Sequence, residues 1–164
     1  MTDGSGQSIY SIDSSSLMDW QARYYPSDVF ATLVDEMEAL IAGGRLVAPA
    51  LVKEEIDAIG PTSLKEWLNT HGTLIVPTSE LLAETQAIQN QFTGLRDPKA
   101  EYDEADAYVI ALARLRNGIV VTQETTAAEK RNPKRTHYIP DVCRELGVSC
   151  IGLLGLIRRE GWTF

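Results

Sequence analysis

Short runs of β-branched and aliphatic residues alternate along this chain with longer stretches of helical periodicity, and that alternation constrains the fold more than any other feature. Strands separated by helices pair in parallel, and the helices then cover both faces of the shared sheet. Residues 8–12 read as the first strand, which ends at Asp13. Ser27 is placed to cap a helix over 28–41, where Phe30, Leu33, Val34, Met37, Leu40 and Ile41 form one apolar stripe and Gly43-Gly44 stops it. Residues 45–48 make a second strand, Pro49 opens a helix that ends at Gly60-Pro61, and Ser63-Leu64-Lys65-Glu66 offers a capping box. Residues 73–76 are a third strand, followed by a helix over 79–92 and a loop over 93–100. A helix over 101–117 carries four acids in its first six residues and Arg114 and Arg116 near its end, as the helix dipole favours. Residues 119–122 form a fourth strand and 125–136 a polar loop or frayed helix. Residues 140–146, 147–151 and 153–160 are then a helix, a fifth strand and a last helix. The expected fold is α/β, three layers deep, around a central parallel sheet of about five strands.

At 164 residues the chain buries enough surface to fold without a disulfide or a structural metal. Residues 1–7 read as a disordered lead-in and 8–164 as one domain. Its two cysteines, Cys143 and Cys150, fit no zinc spacing and read as buried thiols in a reducing, cytoplasmic setting. No apolar run approaches the ~18 residues of a membrane helix, and the N-terminus lacks a basic, apolar secretory pattern. Fifteen Lys and Arg stand against 23 Asp and Glu, a net charge of −8, which excludes a protein that wraps nucleic acid by bulk charge. A local basic patch, or metal ions that invert the sign of an acidic site, stays open.

In an open parallel sheet ligands bind beyond the carboxyl ends of the strands, so acids there carry the chemistry first. Asp13 follows the first strand in Ile12-Asp13-Ser14-Ser15-Ser16, and Glu124 follows the fourth in Val121-Thr122-Gln123-Glu124. Each has a plainer reading, Asp13 as a helix cap or turn residue and Glu124 as a solvated loop acid. Glu55, just after the second strand, stands beside apolar residues that turn it inward. Glu54 is the alternative at that place. Asp106 shares its helix face with Ile110 and Ala113, where an acid is costly without a partner, although it also suits the positive end of its own helix.

The ordered set Asp13, Glu55, Asp106 and Glu124 resembles the four acids of the PIN-domain nucleases, the fold of the VapC-type toxins. From 13 to 55 is 42 positions, from 55 to 106 is 51, and from 106 to 124 is 18. Asp106-Ala107-Tyr108-Val109-Ile110-Ala111-Leu112-Ala113 to Val120-Val121-Thr122-Gln123-Glu124 resembles that family's Asp-to-Thr-x-Asp segment almost position by position, and Ile56 after Glu55 matches its acid-then-apolar pattern. Glu124 stands where the family usually has Asp, as in a PIN-like subgroup of poorly defined function. The resemblance implies a PIN-like fold and a ribonuclease that uses Mg²⁺ or Mn²⁺, held by the four acids, to hydrolyse RNA to 5′-phosphate and 3′-hydroxyl ends. It also implies an antitoxin protein that neutralises the site, and a homodimer.

Physical chemistry is consistent with that role. Crowded carboxylates repel one another, and hard cations that prefer oxygen relieve the repulsion while activating water and clamping a phosphodiester. Ser14, Ser15, Thr122 and Asp103 would orient the acids or water around them, although Thr122 also reads as an ordinary strand-end residue. Lys130, Arg131, Lys134 and Arg135 follow Glu124 closely enough to contact RNA, or form an ordinary solvated loop. An aspartyl phosphatase would need a second Asp at position 15, where Ser15 stands. A serine hydrolase needs a Gly-x-Ser-x-Gly elbow, and the nucleotide-binding glycine motifs are missing from the sequence. The remaining alternative is a noncatalytic PIN-like scaffold that binds a partner protein. Against it stands the retention of repelling acids, which a purely structural descendant has no evident reason to keep.

Overall fold

The structure, a computed structural model, describes residues 8–100 and 104–164. The proposed lead-in over 1–7 and Asp103 lie outside the described residues. The strands are β1 (Tyr10–Ile12), β2 (Leu46–Pro49), β3 (Ile75–Val76), β4 (Ile119–Val121) and β5 (Cys150–Ile151). They form one all-parallel sheet in the order β3-β2-β1-β4-β5. The chain builds outward from β1 in one direction, then crosses to the other side for β4 and β5. The order therefore reverses between β1 and β4, the place where open α/β sheets open a crevice at their carboxyl edge. Gly118 permits the close start of β4 beside β1, since a Cβ there would lie 2.7 Å from the Ile9 carbonyl oxygen.

Eight α-helices flank the sheet among the described residues: α1 (Ser14–Met18), α2 (Ala31–Ala42), α3 (Ala50–Ile59), α4 (Thr62–Thr70), α5 (Thr78–Gln91), α6 (Asp106–Leu115), α7 (Ile139–Leu146) and α8 (Leu153–Glu160). Alternate residues of β2 part to two apolar clusters, as the strand pleat requires. Val47 joins Val76, Leu81 of α5 and Tyr108 and Leu112 of α6. Leu46 and Ala48 join the larger core with Tyr10, Ile12, Leu17, Trp20, Met37 and Ile56. The three-layer α/β/α expectation holds, and no helix of the described residues is long and apolar enough to cross a membrane.

The differences lie at element ends. Ser27 caps nothing: α2 starts at Ala31 behind Phe30, after Phe30 N–H bonds the Pro26 carbonyl. The Ser63 capping box does not form, because Pro61 already occupies the N-cap and α4 starts at Thr62. Residues 72–74 make a 3₁₀ turn, shortening β3 to two residues. The helix expected over 101–117 is resolved as Asp106–Leu115, with 101–103 outside the described residues. Residues 14–24, unassigned by pattern, form α1 and a π-helical turn over Asp19–Tyr24. Both cysteines are free, Cys143 buried and Cys150 half-buried.

Candidate metal centre

Each acid reaches the carboxyl edge of the sheet on a different element. Asp13 ends β1 and caps α1, so the cap reading and the site reading apply to one side chain. Its Oδ1 accepts from the Ser16 N–H at 2.9 Å, its Oδ2 from Thr122 Oγ1 at 2.5 Å, and Ser15 Oγ donates at 2.9 Å to both. Thr122 Oγ1 in turn accepts the Glu124 N–H at 3.0 Å, and Ser15 Oγ accepts the Gln123 N–H at 3.3 Å. The ends of β1 and β4 are thereby laced together across the reversal point. Thr122 and Ser15 stand where they can orient an acid; Ser14 serves another, donating from Oγ to Glu55 Oε1 at 2.7 Å.

Glu55 is the inward acid of α3, half-buried, whereas Glu54 is exposed. Its Oε2 accepts the Ala105 N–H at 3.2 Å, which ties α3 to the start of α6. Asp106 occupies the first turn of α6. Glu124 leaves β4 and accepts the Ile139 N–H, at the start of α7, on Oε1 at 3.1 Å. The extra methylene that Glu has over Asp spans this distance to α7.

Glu55 and Glu124 each lie within reach of the charges of Asp106 and Asp13. Burial pushes Asp13 up to about 6 against the hydrogen bonds of Thr122, Ser16 and Ser15. Glu124 is pushed up to about 7, by burial first and then by the charge of Asp106, with Ile139 N–H and Arg135 pulling the other way. Glu55 is raised as well, by burial and, to a lesser degree, by the charges of Asp106 and Asp13.

Arg135 is where the structure departs most from the sequence reading. Rather than facing solvent with the basic run, it turns inward, only 11% of its side chain exposed, and bridges Asp106 and Glu124. Nη1 donates to Asp106 Oδ2 at 2.6 Å and to the Leu95 carbonyl at 2.8 Å, while Nη2 donates to Glu124 Oε2 at 3.3 Å. Its guanidinium lies 4.3 Å from the Tyr138 ring centroid, and the Lys134 N–H donates to Tyr138 Oη. Burial opposes its charge, but the hydrogen bond and charge of Asp106 and the charge of Glu124 outweigh that and hold its proton more tightly. Lys130 also folds back, its Nζ 4.3 Å from the same ring centroid. Of the expected RNA-contacting residues only Arg131 and Lys134 are exposed. The packing of the loop against Tyr138 decides this, and nothing in the spacing of the basic residues announces it.

Beside Asp106 opens a cavity of about 340 Å³, lined by Gln89, Asn90, Phe92, Thr93, Arg96 and Glu104 among others. The helix pattern over 79–92 gave no hint of it.

The donor set is all carboxylate oxygen, the chemistry Mg²⁺ and Mn²⁺ prefer. Among the described residues, no three His, Cys, Asp or Glu side chains are grouped to hold a metal ion as they stand. Asp13 and Glu55 face their own hydrogen-bond donors, and Arg135 takes the place between Asp106 and Glu124. The donor chemistry fits a hard cation, and an organic cation already uses part of it.

Residues 10–164 match the family described as Domain of unknown function (DUF4411). The chain belongs to the DUF4411 family. That match runs from the first residue of β1 to the C-terminus, so all four acids and Arg135 lie inside the DUF4411 domain. No curated protein matches the chain.

Proposed function

We propose that this DUF4411 protein is a divalent-cation-dependent endoribonuclease of the PIN-like kind, in which Asp13, Glu55, Asp106 and Glu124 hold Mg²⁺ or Mn²⁺. The observation that carries this reading is that four acids on four separate elements stand at the carboxyl edge of a parallel sheet, linked to one another's surroundings through Thr122, the Ala105 N–H and Arg135. A bound ion of this type neutralises phosphate oxygens and lowers the pKa of an attacking water. The protein's own residues prepare for that. Thr122 and Ser15 fix the Asp13 carboxylate, and Ser14 fixes Glu55. Their hydroxyls can also accept hydrogen bonds, and so can hold water beside the acids. The cavity next to Asp106 offers amide groups at Gln89 and Asn90 and a cation at Arg96 for a nucleotide flanking the cleaved bond. Arg131 and Lys134 extend the anion contact outside the site. With only Arg131 and Lys134 of the basic run exposed, and a net charge of −8, the footprint suits a loop or single strand of RNA more than a duplex.

As the toxin of a toxin–antitoxin pair, the protein would act in the cytoplasm, pair with a second copy and be silenced by a protein that covers the acids. A noncatalytic scaffold is the second reading, favoured by one observation: Arg135 already satisfies Asp106 and Glu124. Thermal unfolding in EDTA, Mg²⁺ and Mn²⁺, followed by cleavage assays on RNA, divides the two. A cation bound only by the native state raises stability by mass action, by about 2.7 kcal/mol at a hundred times its Kd. A rise in the wild type that is lost in Asp106→Asn, together with cleavage, supports the nuclease. An unchanged melting temperature at millimolar Mn²⁺ supports the scaffold.

A further inference from the structure

Arg135 is held in a way that suits a group with two positions. Among the described residues it is the one side chain that hydrogen-bonds Asp106, at 2.6 Å, whereas its contact to Glu124 is long, at 3.3 Å. Its other two contacts, the Leu95 carbonyl at 2.8 Å and the Tyr138 ring at 4.3 Å, involve no acid. They can persist when the carboxylates are given up. A divalent ion offers Asp106 and Glu124 twice the charge at shorter range, Mg²⁺–oxygen distances being about 2.0–2.1 Å. A guanidinium and a divalent ion between the same two carboxylates would repel each other, so the two occupancies exclude one another. Once released, a guanidinium fork at the rim of the site has the geometry that binds phosphate oxygens.

We propose that Arg135 is the exchangeable cation of this site: it holds Asp106 and Glu124 together until a divalent ion takes them, and then serves as the contact for a phosphate group. The inference rests on the cation-dependent reading above and adds to it a residue that sets both cation affinity and anion affinity, with opposite signs. Arg135 is thus at once the internal competitor of the ion and the partner of the substrate.

The test uses the full chain and two probes, Mn²⁺ alone and uridine 5′-monophosphate in the presence of Mg²⁺. Binding of Mn²⁺ is followed by the loss of its free-ion EPR signal, and binding of the nucleotide by NMR titration. Arg135→Gln is expected to bind Mn²⁺ more tightly than wild type by about 5–150-fold, the usual span of coupling between two bound groups. The same variant is expected to bind the nucleotide more weakly. A merely structural role for Arg135 would weaken both, and that result overturns the proposal, as does any other pattern in a folded variant. No Mn²⁺ binding by either protein overturns the proposal and the cation-dependent reading together. Should Arg135→Gln not fold, the wild type decides. On adding Mg²⁺ the Arg135 Nε–H resonance should shift with the Asp106 amide; an Arg135 signal that stays in place while the Asp106 amide moves overturns the exchange.

Discussion

Two clusters of this protein use the same three ingredients, an Arg, an acid and a Tyr, at opposite edges of the sheet. At the amino edge Arg45 donates to both oxygens of Glu160, at 3.0 and 2.5 Å, and Tyr10 Oη adds a third hydrogen bond at 2.5 Å. One acid is bound by one base, with the charge of Arg159 adding to it. Burial pushes Glu160 up, but Arg45 and Tyr10 outweigh it and leave the carboxyl below its usual range, while the Tyr10 hydroxyl rises to about 12. At the carboxyl edge a single Arg135 is divided between two acids of a group of four, and Glu124 is pushed up to about 7 despite it. The difference is one of balance. A matched pair is a fastening, whereas an excess of acids over bases is an unfilled demand for positive charge.

Breaking each cluster should therefore give opposite results. The largest expected effect is on chemistry: Asp106→Asn should lower RNA cleavage by more than the ~10–100-fold that follows loss of a group that merely supports a metal ligand. Single-turnover cleavage in saturating Mg²⁺ measures it, and activity within tenfold of wild type would remove Asp106 from the site. At the amino edge, Glu160→Ala strands Arg45 and Tyr10 in a largely buried place. It should cost about 3 kcal/mol of stability in urea unfolding, near the lower end for broken buried pairs, with Mn²⁺ affinity unchanged.

Asp13→Asn should move stability the other way, by a smaller amount. The native state holds the Asp13 proton more tightly than the unfolded chain, since its carboxyl rises from 3.8 to about 6. The stability this contributes is full below the unfolded value and is lost as pH rises through about 6. At pH 7.5 without divalent ions, Asp13→Asn should thus be more stable than wild type by about 1–2 kcal/mol, less than the shift alone would give because Asn replaces a charged hydrogen-bond acceptor. The gap should close toward pH 4, and a gap that widens there would contradict the sign. The smallest effect belongs to the loop: Lys134→Ala should weaken RNA binding evenly across sequences and reduce its salt slope by about one phosphate contact.

The alternation of strand and helix patterns carries the fold as far as a parallel sheet of about five strands between helix layers, and the strand order, with its reversal between β1 and β4, comes from the structure. The places of Asp13 and Glu124 follow from where β1 and β4 stop, whereas Glu55 and Asp106 sit on α3 and α6 and are singled out by their apolar neighbours and by the resemblance. The local caps were not legible. Ser27 and Ser63 have the right chemistry, yet Phe30 and Pro61 take those N-cap positions through the path of the incoming chain. Arg135 was illegible for a different reason. Its direction depends on Tyr138, Leu95 and Asp106, residues brought together by three separate segments, and a basic run looks alike in sequence whether one of its members points in or out.

Three of the four acids also hold the beginnings of helices. Asp13 receives the Ser16 N–H of α1, Glu55 the Ala105 N–H before α6, and Glu124 the Ile139 N–H of α7. Each of these three acids therefore does a structural job as well, and replacing one would disturb a helix start even in a protein that performs no chemistry. Asp106 holds no such helix end and answers to Arg135. Of the four, Asp106 is thus the acid whose replacement should report on the site with the least disturbance of the fold.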